Sequence, residues 1–217
     1  MSEFVGFPKV ARLSRYSIVT EKIDGTNAQI YIEPCGEAPT RLEPLGLGTI
    51  NGVLHGLYAG SRSRWVRPGD DNHGFAAWAS ANLNELFKLG PGRHFGEWWG
   101  RGIQRGYGLD EKRFSLFNVT RWALYGTEPK LIPTQNPLSA RLQDVLPECC
   151  GLVPVLGEGQ FDTVRVDSIL WRLYEQGSVA APGFRNPEGV MVYHTVGQVL
   201  FKKTLKNDHA PKGGVSE

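Results

Sequence analysis

Lys22 stands at the end of the alternating run Tyr16-Ser-Ile-Val-Thr20 and just before the polar turn Asp24-Gly25-Thr26. A strand end presents its side chain at the rim of a sheet. A lysine amine attacks an electrophilic phosphorus only when deprotonated, a state favoured by desolvation or nearby positive charge. Alone, Lys22 also reads as the commonest kind of lysine, solvated before a hairpin turn. The four fixed positions of Lys-x-Asp-Gly-x-Asn (Lys22, Asp24, Gly25 and Asn27) shift the balance toward chemistry.

The segment resembles motif I of the covalent nucleotidyltransferases, the superfamily of ATP-dependent DNA ligases, RNA ligases and mRNA capping enzymes. In that superfamily the lysine becomes nucleotidylated. Further segments follow in the family's order. Tyr58-Ala-Gly-Ser-Arg62-Ser-Arg64 resembles the Ser-Arg element after motif I, and Phe95-Gly96-Glu97-Trp-Trp-Gly resembles motif III. Arg113-Phe-Ser-Leu-Phe117-Asn-Val resembles motif IIIa, Pro187-Glu188-Gly189 resembles motif IV, and Val199-Leu-Phe-Lys202-Lys203-Thr-Leu resembles motif V. The likeness runs from about residue 16 to residue 206.

What the resemblance implies is a division of labour. Lys22 is the nucleophile, with Lys202 and Asn27 as its catalytic companions. Glu21, Arg62, Arg64, Glu97, Phe117 and Lys203 contact the nucleotide, Glu97 through the ribose and Phe117 by stacking on the purine. Glu188 and Asp24 hold a divalent cation, Mg²⁺ or Mn²⁺. The physics is consistent with such roles: cations must offset the charge that builds on phosphate oxygens in the transition state. Mg²⁺ suits a site with one or two carboxylates plus phosphate oxygens and water. Each segment also has a plainer reading. Glu97 can be a strand residue facing solvent, Phe117 a core residue, Glu188 a turn carboxylate, and Lys202-Lys203 a charge-protected edge strand.

Asn27 bears on the branch of the superfamily. DNA ligases and capping enzymes usually end motif I in arginine, whereas RNA ligases of the phage type 2 class carry asparagine there. The resemblance therefore implies an ATP-dependent RNA ligase joining a 5′-phosphate end to a 3′-hydroxyl. The alternatives are a DNA ligase or capping-type enzyme, or a nucleotide- or RNA-binding module without turnover. Motif V departs from the common Lys-x-Lys: the second lysine is displaced to Lys203, replaced by Lys206, or absent. The few residues after motif V leave no room for a C-terminal OB or other accessory domain. A single adenylation domain over residues 1–217 is expected, with a partner protein supplying the missing grip on RNA. Arg101, Arg105, Trp98, Trp99 and Tyr107, in a glycine-rich stretch, form a candidate RNA patch or else a hairpin with buried tryptophans.

The elements that must position these residues follow from periodicity. Tyr16–Thr20 and Ala28–Ile32 alternate as half-buried strands around the Asp24 turn. Residues 33–60, with Asn51-Gly52, read as hairpins and loops. Phe75, Ala79, Leu83, Leu86 and Phe87 fall at helical spacing behind an Asp or Asn cap. A second helix is predicted from Pro137 through Leu138, Leu142, Val145 and Leu146. A third is predicted from Thr163 to Gln176, capped by Asp162 and stopped at Gly177. Strands are predicted over Arg93–Trp99, Arg113–Val119, Val190–His194 and Val199–Thr204. The fold class is α+β, of the ligase-type nucleotidyltransferase (ATP-grasp-like), with antiparallel sheets flanked by helices.

Composition bounds the rest. With 24 Lys+Arg against 22 Asp+Glu among 217 residues, the net charge of +2 gives no field to coat nucleic acid, so RNA must meet a local patch. Three cysteines, two of them adjacent, argue against a disulfide framework, and the scattered histidines against structural zinc. Without a signal-like N-terminus or a long apolar run, a cytoplasmic monomer with no membrane partner is expected.

Overall fold

The computed structural model describes residues 6, 10, 12–36, 43–124, 126–133, 140–206 and 208. The chain forms two compact units, Met1–Lys22 with Pro154–Glu217, and Ile23–Val153, here called unit 1 and unit 2. Unit 1 opens with β1 (Tyr16–Lys22). Unit 2 supplies β2 (Thr26–Pro34), β3 (Gly46–Ile50), β4 (Val53–Ser61), β5 (Trp65–Val66), α1 (Phe75–Ala81), α2 (Leu83–Leu86), β6 (Gly92–Gly100) and β7 (Lys112–Leu116). It continues with the short strands β8 (Trp122–Ala123), β9 (Leu131–Pro133), β10 (Ala140–Leu142), β11 (Asp144–Val145) and β12 (Cys150–Leu152). The chain returns to unit 1 as β13 (Val155–Gln160), α3 (Thr163–Gln176), β14 (Gly189–His194) and β15 (Val199–Thr204). The protein is α+β, rich in strands and sparing of helices.

Unit 1 is an antiparallel sheet in the order β13-β1-β14-β15. Alternation puts Val19, Val190 and Val192 on one face, where they pack with Val166, Ile169 and Leu173 of α3. Those three helix positions repeat at i, i+3 and i+7, the spacing that lays an apolar stripe on a sheet. The predicted limits of α3 hold: the Asp162 side chain accepts from the Val164 N–H at 3.0 Å, and the helix ends at Gly177.

Unit 2 holds a larger sheet in the order β12-β7-β6-β2-β4-β3, antiparallel except for the β12–β7 pair. Ala28, Ile30, Ile32, Leu57, Ala59, Trp98, Phe114 and Leu116 point into one core with Phe75, Ala76, Ala79 and Leu86 of α1 and α2. The predicted helix after residue 72 is present but broken at Asn82, and the residue at its N-cap is Gly74 rather than Asp or Asn. Asp71 does the capping from further back, accepting from Ala76 N–H (2.8 Å) and Ala77 N–H (3.0 Å).

The hairpin expected at Asn51-Gly52 is present: β3 and β4 pair across it, with φ of 49° and 79°, the paired positive values of a two-residue hairpin turn. One expectation changes. The helix predicted from Pro137 is replaced, over its described part, by β10 and β11: Leu142 pairs with Leu131 and Val145 with Ala123. Sheet pairing overrode a loose apolar spacing there. Pro137 and Leu138 lie outside the described residues. Among the described residues no helix is long and apolar enough to cross a membrane.

Candidate active site

In unit 1 the register of β1 against β14 sets Lys22 opposite Gly189, the residue after Glu188. The Lys22 Nζ donates to Glu188 Oε2 at 2.6 Å, with the two side chains 24% and 17% exposed. A Cβ on Gly189 would lie 2.2 Å from the Lys203 carbonyl oxygen and 2.7 Å from the Thr204 Cα. Glycine is thus what lets β15 close on the strand that carries the carboxylate.

Directly paired residues of an antiparallel ladder share a face, and alternation sorts the motif residues of this sheet. Lys202 is opposite Met191, which is opposite Thr20, two residues before Lys22. Lys202 and Lys22 therefore share a face. Lys203 is opposite Val190 and so takes the α3 face, where it forms an ion pair with Asp167. Thr204, opposite Gly189, occupies the place on Lys22's face that a Lys-x-Lys motif would give to its second lysine. Lys206 lies past the strand, its Nζ 3.5 Å from Asn186 Oδ1.

Glu21 also takes the α3 face and is buried at 1% exposure. Its carboxylate accepts from the Ser178 hydroxyl (2.6 Å) and from the N–H groups of Val179 (2.8 Å) and Ala180 (2.9 Å). Burial pushes its pKa up, and these three donors oppose the shift. Glu21 and Lys203, both expected to contact the nucleotide, each have a partner on the helix side of the sheet.

In unit 2 the turn after the lysine rests on β6. A Cβ on Gly25 would lie 2.6 Å from the Trp98 carbonyl oxygen and 2.7 Å from the Trp99 Cβ, which is the physical reason for glycine in Asp-Gly. Asn27 faces Glu97 across the ladder, and its Nδ2 donates to Glu97 Oε2 at 3.1 Å. Glu97 is buried and Asn27 exposed. Phe117 follows β7, two residues beyond Ser115, the ladder partner of Glu97, and is 41% exposed. It is therefore a rim residue on the Asn27–Glu97 side of the sheet.

Arg62 and Arg64 sit in the β4–β5 turn, both exposed. Ser61 Oγ accepts from the Arg64 N–H at 3.3 Å, and the Arg64 guanidinium pairs with Asp70 at 2.8 Å. Asp24, expected to hold a cation, instead accepts from Arg105 Nε at 2.7 Å, while its N–H donates to the Tyr107 hydroxyl at 2.8 Å. Of the two readings of the glycine-rich stretch, the structure matches buried tryptophans: Trp98, Trp99 and Tyr107 are each 2% exposed, Trp99 donates to Ser115 Oγ at 3.0 Å, and Tyr107 packs edge-on against Trp99.

No sequence signal links Asp24 to Arg105 and Tyr107, some eighty residues away. The nearest hint is the run of glycines around them, whose positive φ values at Gly100, Gly102, Gly106 and Gly108 bend the loop back on itself. Among the described residues no group of three or more acidic, histidine or cysteine side chains is disposed to hold a metal ion. A cation here would have to be completed by ligands from a bound phosphate and water, beside the expected carboxylates Glu188 and Asp24, each of which is ion-paired in this structure.

The family model for RNA ligase matches residues 15–206. No curated protein gives a significant match. Among solved structures, an arginine-to-alanine mutant of Naegleria gruberi RNA ligase with ATP and Mn is similar at a TM-score of 0.51 and 15% identity. The match covers 89% of this chain and 51% of that one. A glutamate-to-alanine mutant of the same ligase with ATP and Mn gives 0.51 and 16%, with the same coverage. A lysine-to-alanine mutant with ATP and Mn gives 0.51 and 15%, covering 88% and 50%. At such identity the likeness concerns the fold, and the chain spans about half the length of these structures.

Proposed function

Because the chain belongs to the RNA ligase family, we propose that it is an ATP-dependent RNA ligase of the nucleotidyltransferase, ATP-grasp-like type, working through a covalent lysyl-AMP. The observation that carries the reading is the 2.6 Å contact between Lys22 Nζ and Glu188 Oε2 at the end of adjacent strands. The contact holds the amine beside the carboxylate assigned to the cation, and the amine gives up its proton to solvent before it attacks. Lys22 then attacks the α-phosphorus of ATP: a P–N bond forms, the α–β bridging P–O bond breaks, and pyrophosphate leaves. Lys202, on the same face, offsets charge on the phosphate oxygens as it builds.

In unit 2, Glu97 holds the ribose, Phe117 offers its ring to adenine, and Arg62 meets phosphate. The AMP passes from Lys22 to a 5′-phosphate RNA end, exchanging the P–N bond for a P–O bond. A 3′-hydroxyl then attacks that end, forming the phosphodiester and releasing AMP. Asn27, hydrogen-bonded to Glu97, serves this last step, and its resemblance to the asparagine of the phage type 2 branch supports that reading. The Naegleria gruberi structures named with ATP and Mn support ATP and Mg²⁺ or Mn²⁺ as the small molecules required. Glu188 would hold the cation, which supplies charge neutralisation at the phosphates when bound.

The test is intact-protein mass spectrometry after incubation with ATP and Mg²⁺. Wild type should gain one AMP, mapped to Lys22, and Lys22→Ala should gain none; an adduct persisting in the variant overturns the assignment. A second reading, nucleotide binding without transfer, is favoured by Thr204 standing where a second motif V lysine would lie. It predicts a thermal shift with ATP and no adduct in wild type.

A further inference from the structure

The face of the unit 2 sheet that carries Asn27 and Glu97 does not end with them. One row along the strands, Phe95 is paired with Gln29, and the Phe117 N–H donates to the Phe95 carbonyl at 3.0 Å. Gln29 is in turn opposite Gly60, which is opposite Trp65. In the next row Arg93 faces Tyr31, and Tyr31 faces Tyr58. Successive rows lie about 6.7 Å apart. The opposite face of these strands is the packed core of the unit, yet this face leaves Phe95 52% exposed.

The aromatic groups are built into a defined surface. Tyr31 and Trp65 are stacked at 5.9 Å with 28° between their planes, and Tyr58 lies 6.0 and 5.9 Å from them. The exposed Arg93 guanidinium lies 4.1 Å from the Tyr31 ring centre and 5.4 Å from that of Trp65. Its Nη1 donates to Gln29 Oε1 at 3.1 Å, which fixes the plane. The Tyr31 hydroxyl donates to Glu33 at 2.8 Å, so the carboxylate marks the far end of the surface. Gly60 lets Gln29 lie flat: a Cβ there would come 2.9 Å from the Gln29 Cγ.

We propose that this face is a stacking track for a single RNA strand, with one base on Phe95 and another on the Arg93 guanidinium above Tyr31 and Trp65. The proposal rests on the RNA-joining reading above and adds to it where the strand lies. Rings and guanidinium planes accept any base by its π-face, and Arg93 brings the positive charge a polyanion requires. The Gln29 amide between them can hydrogen-bond base edges or ribose. Continuity with the Asn27–Glu97 row means that a strand on the track leads to the residues assigned to sealing. A near-neutral protein needs a local surface of this kind to hold RNA.

The test uses the full chain and a 5′-phosphorylated oligouridylate of about twelve nucleotides, matching the upper range of single-strand sites. Its binding is read by fluorescence anisotropy across a salt series. Phe95→Ser should weaken binding about tenfold, the loss of one base–aromatic stack. Arg93→Gln should also flatten the salt dependence by about 0.7 in log–log slope, one phosphate contact on a single strand. Phe95→Trp should keep affinity. All three should form the Lys22 adduct like wild type, which shows that they fold.

Unchanged RNA affinity in the Phe95→Ser/Arg93→Gln double variant overturns the track, as does a wild type that forms the adduct but does not bind this RNA. Association of wild-type chains that the double variant loses, with RNA binding kept, would assign the face to a second copy and overturn the track too. RNA binding that depends on Phe95 and Arg93 without any lysyl-AMP supports the track and sinks the enzymatic reading instead.

Discussion

The two sheets treat their motif residues in opposite ways. In unit 1, Glu21, Lys22, Lys202 and Lys203 are adjacent in sequence as two pairs, and the sheet splits each pair: Lys22 and Lys202 to one face, Glu21 and Lys203 to the side of α3. In unit 2, Asn27, Glu97 and Phe117 are distant in sequence, and the register collects them on a single side. A strand allots alternate residues to opposite faces, so neighbours in a motif are separated by construction, while ladder partners meet whatever their distance along the chain. Two charged residues in a row on a strand are therefore a statement about two environments. The α3 face uses its charges to fasten the strand, and the other face carries Lys22 and Lys202, the two lysines to which the proposed function gives chemistry.

The sharpest way to break this contrast is to truncate the two motif V lysines separately. Lys202→Ala should slow formation of the lysyl-AMP by about 10²–10³-fold, the cost typical of removing one preorganised charge partner of a transition state. Lys203→Ala should stay within a few-fold of wild type. Its pair with Asp167 is exposed on both sides, so the stability lost should be about 0–1 kcal/mol. Single-turnover adenylation rates, with thermal melting as control, check both. Comparable rate losses would mean that alternation does not assign the roles.

Glu21 probes the fastening side. Gln in its place keeps shape and one acceptor but turns an N–H₂ toward the N–H donors of the 178–180 turn, so Glu21→Gln should cost about 1–3 kcal/mol in urea unfolding. The pH dependence has a definite sign. With the folded pKa raised by burial, the unfolded state releases the proton first. This group's contribution to stability is therefore full below about pH 4.5 and declines as pH rises through the folded pKa. The Gln variant should lack that decline. A wild-type contribution that instead rises over this window would contradict the burial of Glu21 as the dominant influence.

Much of this was legible in the sequence because the determinants are local. The strand–turn–strand around Asp24 and the whole of α3 with its Asp162 cap follow from alternation, capping and turn chemistry, whereas the order of the motif segments came from resemblance to a family. The helix predicted from Pro137 failed where its described residues, Leu142 and Val145, found strand partners at Leu131 and Ala123; short apolar spacings do not foresee a partner strand. For the site, residue identity was legible and side-chain commitment was not. Nothing near Glu21 in sequence announces Ser178, and nothing near Asp24 announces Arg105. Such pairings depend on where the chain returns.

That last pair offers the smallest and finest test. Tyr107 accepts the Asp24 N–H and is itself held edge-on against Trp99, while Arg105 clasps the Asp24 carboxylate. Both hold the turn two residues after Lys22, so the question is whether they position it or only stabilise it. Tyr107→Phe keeps the ring packing and removes the hydroxyl that accepts the Asp24 N–H. The cost should be about 0.5–1.5 kcal/mol, or some 2- to 10-fold. A purely structural role would lower the melting temperature and leave the adenylation rate of the folded protein intact. A positioning role lowers that rate with the KM for ATP unchanged, and Arg105→Lys, which keeps a cation for Asp24, should recover part of the rate that Arg105→Ala loses. If Tyr107→Phe adenylates like wild type while melting earlier, the loop stabilises unit 2 and leaves the lysine turn to set its own geometry.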